Sequence, residues 1–279
     1  MSDPRHHLLE LDGAEIHLAE WGPPEGDVIV AWHGLARSGA DFASMAHALA
    51  DRFRILAPDT LGRGASAWAR DPGEYRFERY ERLATALVDR FGLSRLRWVG
   101  TSMGGALGIR LAAGALAGRI THLVVNDIGP ELPSAAIERI LTYVGTPPAF
   151  DTLAELETYL RRVYAPYGFM SEAEWRAMSL TSWRRRDDGR LTLHYDPAIV
   201  RQFTEAPDDY VQWDAWRAIA CPTLLLRGED SDLLLPATAA AMVEANPRAT
   251  LRVVPGCGHA PALNVPTQTG PLRAFLTAG

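Results

Sequence analysis

Short apolar runs separated by amphipathic stretches of helical length pervade this chain, and that alternation most narrows its possible folds. "VIVAW" (Val28 to Trp32), "RILAPD" (Arg54 to Asp59), "LRWVG" (Leu96 to Gly100) and "ITHLVVND" (Ile120 to Asp127) are dominated by apolar residues rather than alternating with polar ones. A strand wetted on one face alternates in polarity, whereas a strand buried on both faces does not. Between the runs, "SGADFASMAHALA" sets Phe42, Met45, Ala46 and Leu49 at helical spacing. "RFERYERLATALVDRFG" does the same with Leu83, Leu87, Val88 and Phe91, and Gly92 is its stop. "GGALGIRLAAGAL" is a third helix, rich in small residues. Fully apolar strands alternating with helices predict an α/β fold, a mostly parallel, doubly wound sheet covered on both faces.

The rhythm breaks near Pro130 and resumes at "CPTLLLRGEDSD", followed by a helix near Ala237 to Ala245, the strand "ATLRVVP" and a last helix near Thr267 to Thr277. The intervening stretch reads as helices with no apolar strand between them, and it holds Trp175, Trp183, Trp213 and Trp216. The expected organisation is therefore a core of residues 1–130 and 217–279 with a helical cap inserted at 131–216.

Bulk properties exclude several classes of partner. A formal net charge of −6 without a long Lys/Arg run argues against nucleic acid or an anionic membrane. The start "MSDPRHHLLELDG" shows no secretory signal, and no apolar run approaches the roughly 20 residues that span a bilayer. Cys221 and Cys257 are too few for a disulfide framework or a zinc site. A reduced, cytoplasmic protein without metal or organic cofactor is the expectation. Either a monomer or a homodimer is compatible with the sequence.

Chemistry concentrates at the expected strand ends. In Gly100-Thr101-Ser102-Met103-Gly104, a serine stands between a strand and a helix, and glycines on both sides permit a sharp corner. Such a corner lifts the hydroxyl above the sheet edge and leaves the Met103 N–H at a helix N-terminus, where an oxyanion can be bound. The serine needs a base. Of eight histidines, His259 in "VVPGCGHAPAL" lies in a Gly/Pro-punctuated loop after the last strand, at the edge where parallel sheets bind ligands. The base needs an acid. "GEDSDLLLP" offers Glu229, Asp230 and Asp232, and Asp232 is preferred because the apolar run and Pro236 behind it suggest a residue held near the protein body. Asp230 and Asp127, the latter in "VVNDIGP", are the backup acids. In "AWHGLARSG", Gly34 lets the chain turn so that the Leu35 N–H becomes a second oxyanion donor, with His33 ordering the loop.

Taken together, "WHGLARSGADF", "PDTLGRGAS", "GTSMGG", "LLLRGEDSDLL" and "GCGHAPAL" resemble the α/β-hydrolase family, in particular its capped bacterial members. The resemblance implies Ser102 as nucleophile, His259 as base, Asp232 as acid and the Leu35 and Met103 N–H groups as oxyanion hole. It implies structural roles for Asp59, Gly62 and Gly64. A serine at 102 departs from the dehalogenase relatives, which carry aspartate there. The expected substrate is a small or medium carboxylic ester, in an apolar pocket shaped by the cap. A lactonase would use the same atoms. A carbon–carbon bond hydrolase of ring-cleavage products is the alternative, favoured if a cation such as Arg37, Arg110 or one of Arg184 to Arg186 faces the pocket. A non-catalytic binding protein on the same fold is the alternative of another class.

Overall fold

The apolar runs become the centre of an eight-stranded sheet in a computed structural model that describes residues 3–278. Its strands are β1 (Arg5–Leu11), β2 (Ala14–Trp21), β3 (Asp27–Trp32), β4 (Phe53–Pro58), β5 (Leu96–Thr101) and β6 (Ile120–Asn126). After an insertion that carries β7–β9 come β10 (Thr223–Gly228) and β11 (Ala249–Val254). The order across the sheet is β1-β2-β4-β3-β5-β6-β10-β11. Only β1–β2 and β2–β4 pair antiparallel, and all other neighbours are parallel.

Burial on both faces explains the unbroken apolar runs. Along β3, Val28, Val30 and Trp32 enter the core on one face, while Ile29 and Ala31 enter the core on the other. The first face is covered by α2 (Phe77–Arg90) and α3 (Met103–Ala113), and the second by α1 (Ala43–Leu49). Trp32 and Trp98 stack under α3 with ring centroids 5.4 Å apart. Trp98 Nε1 donates to the Gly104 carbonyl at 2.9 Å, so its one polar atom is satisfied inside the core.

The insertion contains more than helices. α4 (Ser134–Val144), α5 (Leu153–Val163), α6 (Glu172–Leu180) and the short α7 (Arg201–Glu205) are joined by a three-stranded antiparallel sheet. Its strands are β7 (Ala149–Phe150), β8 (Trp183–Arg185) and β9 (Leu191–Leu193), in the order β7-β9-β8. Strands of two or three residues are too short to show a period, which is why the sequence pattern contains no trace of them. The expected limit at residue 216 also falls inside an element of the core. α8 (Trp213–Ala218) lies against α3, and Trp216 is fully buried, its Nε1 donating to the Met242 carbonyl at 2.8 Å in α9 (Pro236–Ala245). The chain closes with α10 (Pro266–Thr277), whose Leu272 and Leu276 complete the core beside α1. No helix among the described residues is long and apolar enough to cross a membrane.

Candidate active site

Ser102 stands on the corner between β5 and α3 with φ 52° and ψ −117°, a left-handed conformation that costs a non-glycine residue about 1–3 kcal/mol. The surrounding glycines make the corner sterically possible. A Cβ on Gly100 would lie 2.1 Å from the Gly104 carbonyl oxygen, and one on Gly104 would lie 2.0 Å from that of Trp32. Strand, helix and neighbouring strand thus touch backbone to backbone. The corner is pinned by the Ser102 N–H, which donates to the Asn126 carbonyl at 2.9 Å.

The serine hydroxyl lies 2.9 Å from His259 Nε2, and His259 Nδ1 lies 2.8 Å from Asp127 Oδ2. A carboxylate on Nδ1 selects the tautomer with its proton there, leaving Nε2 free to accept from Ser102. Asp127 is fully buried, at φ 60° just past β6. It also accepts from the Gly228 N–H at 2.8 Å and from Ser231 Oγ at 2.6 Å. Three donors on one buried carboxylate stabilise its charge and fix its direction.

Asp232, the acid favoured by the sequence, does not take this position. It lies on the loop after β10 with its side chain 54% exposed, ion-paired to Arg139 of α4. The reason is lateral strand order: β6 is the neighbour of β5, so Asp127 emerges beside Ser102, whereas β10 lies one strand further away. Asp230 is likewise exposed and meets the histidine loop through its backbone, its N–H donating to the Cys257 carbonyl at 2.9 Å. From the loop after β10, it is Ser231 that reaches the acid.

The loop after β3 lies against the serine, for a Cβ on Gly34 would come within 3.6 Å of Ser102 Cβ. Neither the Leu35 N–H nor the Met103 N–H is engaged by another protein group among the described residues. His33 orders this loop. Its Nδ1 bonds the Gly34 carbonyl at 2.7 Å and its Nε2 accepts from the Thr60 N–H at 2.8 Å. Burial pushes its pKa down to about 4, so the ring is neutral and both nitrogens are committed. Arg63, not singled out by the sequence pattern, holds the same loop from below. It is fully buried and donates to the carbonyls of Leu35 and Leu61 at 2.8 and 2.7 Å and to the Tyr80 hydroxyl at 2.8 Å.

A family model described as the alpha/beta hydrolase fold matches residues 27–264. The chain belongs to the α/β-hydrolase family. Among curated proteins it is 36% identical over 268 residues to a 3-hydroxybutyrate-oligomer hydrolase of Cupriavidus necator, covering 92% of this chain and 91% of that one. It is 29% identical over 288 residues to a non-heme chloroperoxidase of Burkholderia pyrrocinia, covering 98% and 99% of the two chains. A crystal structure of an α/β hydrolase from Novosphingobium aromaticivorans superposes with a TM-score of 0.88 at 32% identity, over 99% of each chain.

In this α/β-hydrolase a cavity of about 480 Å³ contains Ser102 and His259 and is roofed by α4, α5 and the segment 164–167 of the insertion. The roof is bonded to the histidine loop: the Gly258 N–H donates to the Pro166 carbonyl at 2.7 Å and the Ala262 N–H to that of Tyr167 at 3.2 Å. Cys257 packs beneath Gly168, and burial pushes its thiol pKa up, away from the reactive thiolate form. A larger cavity of about 680 Å³ lies beyond Gly34 and Thr101 and contains neither Ser102 nor His259.

The cations considered from the sequence are mostly elsewhere. Arg37 borders the cavity that contains Ser102 but is paired with Asp41 and stacked on Tyr164, 4.7 Å from the ring centroid. Arg110 is bound by Glu81 on the outer face of α3. Arg184 stacks on Trp68, Arg185 donates to the Gly189 carbonyl and Arg186 pairs with Asp188. Two other arginines, Arg139 and Arg162, border the cavity.

Proposed function

We propose that this α/β-hydrolase cleaves carboxylic esters of small to medium size through an acyl-enzyme on Ser102. The observation that carries the reading is the hydrogen-bonded chain Ser102–His259–Asp127, closed by a carboxylate with no access to solvent. Ser102 Oγ attacks the ester carbonyl as His259 Nε2 takes its proton, and the C=O electron pair moves onto the oxygen. The Leu35 and Met103 N–H groups stabilise that oxyanion, a role in which one donor is worth about 3 kcal/mol. His259 returns the proton to the leaving alkoxide as the C–O bond breaks. A water deprotonated by His259 then attacks the acyl-enzyme, and the proton passes back to Ser102 as the acid leaves. Asp127 keeps the imidazole in its working tautomer and stabilises the imidazolium.

The similarity to an oligomer hydrolase supports ester bonds between hydroxyacid units as the natural target, since a 3-hydroxybutyrate oligomer is a linear polyester. Carbon–carbon hydrolysis of ring-cleavage products is the second reading, because such products carry a carboxylate and Arg162 places a cation at the cavity. The test is turnover of p-nitrophenyl butyrate, a lactone and a vinylogous 1,5-diketone by wild type and Ser102→Ala. Ester turnover abolished by the substitution is expected. Rapid cleavage of the diketone alone would overturn the ester reading, and ester turnover indifferent to Ser102→Ala would overturn the nucleophile.

A further inference from the structure

Two helices of the insertion each place one arginine and one tyrosine on the lining of the cavity above Ser102, the arginines at its solvent-exposed rim and the tyrosines partly buried. Arg139 and Tyr143 lie four residues apart on α4, and Tyr159 and Arg162 three apart on α5, spacings that bring side chains onto one helix face. The charges at the cavity are unequally compensated. Arg37 has Asp41 and Arg139 has Asp232. Arg162 forms no ion pair among the described residues, and its guanidinium lies 5.7 Å from the centroid of the Tyr159 ring. Its neighbour Arg161 takes the acids on that side, pairing with Glu157 at 2.8 Å and Glu172 at 2.6 Å.

The hydroxyls of Tyr143 and Tyr159 are also uncommitted. Neither donates to or accepts from a protein group among the described residues, and burial pushes both phenols up, so both remain O–H donors at neutral pH. The α4–α5 side of the cavity therefore presents one unpaired guanidinium and two free hydroxyl donors. A neutral ester uses none of that positive potential. A carboxylate satisfies all of it, because its two oxygens match the guanidinium fork and retain lone pairs for the phenols. Asp230 borders the cavity from the opposite side, on the loop after β10, where it opposes a second anionic group rather than a first.

Resting on the ester reading above, we propose that Arg162, with the hydroxyls of Tyr143 and Tyr159, binds a free carboxylate of the substrate. The preferred substrates are then short anionic esters with a carboxylate on one side of the scissile bond, as at the acid terminus of a linear hydroxyacid oligoester. Holding that terminus sets which ester bond reaches Ser102, so cleavage proceeds from the acid end. Arg162 is a specificity residue in this scheme and does not touch the reacting atoms.

The experiment compares the linear 3-hydroxybutyrate dimer with its methyl ester, which differ in that one charge. Wild type should show a kcat/KM about tenfold or more higher for the free acid, carried mainly by KM, as one charge-assisted contact would supply. Arg162→Gln should bring the ratio between the two substrates close to one, and Arg162→Lys should restore part of it. An acid-to-methyl-ester ratio near one in wild type, or one unmoved by Arg162→Gln, would overturn the proposal. Calorimetric binding of the two dimers to Ser102→Ala reads recognition without turnover. Preference for the free acid there, lost on adding Arg162→Gln, supports the clamp even if neither dimer is cleaved, an outcome that would count against the ester reading alone. Equal binding of both dimers overturns the clamp.

Discussion

Ser231 Oγ donates to Asp127 Oδ2 at 2.6 Å, the same oxygen that receives His259 Nδ1 at 2.8 Å. The hydroxyl in turn accepts from the N–H groups of Leu233 and Leu234 at 3.3 and 3.1 Å. The loop after β10 is thus folded around one hydroxyl that orients the buried acid. Replacing Ser231 by Ala leaves Asp127 short of a donor and two amides without their acceptor. We expect kcat/KM for a short ester to fall about tenfold, since hydrogen bonds to charged groups are worth about 1.5–3 kcal/mol. Steady-state kinetics decide it, and an unchanged kcat/KM would show that Gly228 N–H and His259 suffice to hold the carboxylate.

The two acids should separate in activity. Asp127→Asn removes the charge that selects the His259 tautomer, and the expected loss in kcat is on the order of 10⁴-fold. Asp232→Asn removes only an exposed pairing with Arg139, so kcat should change by no more than a few-fold. Measuring both variants on one chromogenic ester is enough. The reverse ranking would restore Asp232 as the working acid.

Arg63→Met keeps the buried bulk but releases the Leu35 and Leu61 carbonyls and the Tyr80 hydroxyl. The Leu35 peptide then loses the contact that aims its neighbourhood at Ser102. An oxyanion donor out of position costs up to about 10²–10³ in kcat, so a fall of at least tenfold in kcat with a smaller change in KM is expected. A thermal melt confirms that the variant is folded. An unaltered kcat in folded protein would show that His33 and Gly34 position the loop unaided.

Acid should destabilise the fold before it protonates most carboxylates. His33 and His194 are both buried and pushed down to about 4, His33 beside Thr60 and His194 with its Nδ1 on the Thr181 carbonyl. Each ring is neutral when folded and titrates near 6.5 when unfolded, so the unfolded chain binds more protons as pH falls. Stability is therefore complete above about pH 6.5 and declines toward pH 4, by at most roughly 3 kcal/mol per histidine. Urea unfolding at pH 7, 5.5 and 4.5 measures it. A flat midpoint across that range would mean that neither ring is protonated on unfolding.

The primary sequence determined the parallel sheet and the serine corner, because both rest on local or periodic constraints. Runs such as "VIVAW" must be buried on both faces, and Gly100 and Gly104 are demanded by contacts within a few residues of Ser102 and against the adjoining strand. The place of His259 in a loop after the last strand was legible for the same reason. The carboxylate that meets its ring was not. Asp127 and Asp232 both follow apolar strands, and choosing between them requires the lateral order of strands, which places β6 and not β10 beside β5. Chain order carries no such information. The three short strands of the insertion, the core position of Trp216, the inward turn of Arg63 and the place of Arg162 at the cavity rim were likewise decided only by packing. Trp216 and Arg63 depend on partners far away in the chain, Arg162 on which face of a helix meets the cavity, and β7, β8 and β9 are too short for a period to show.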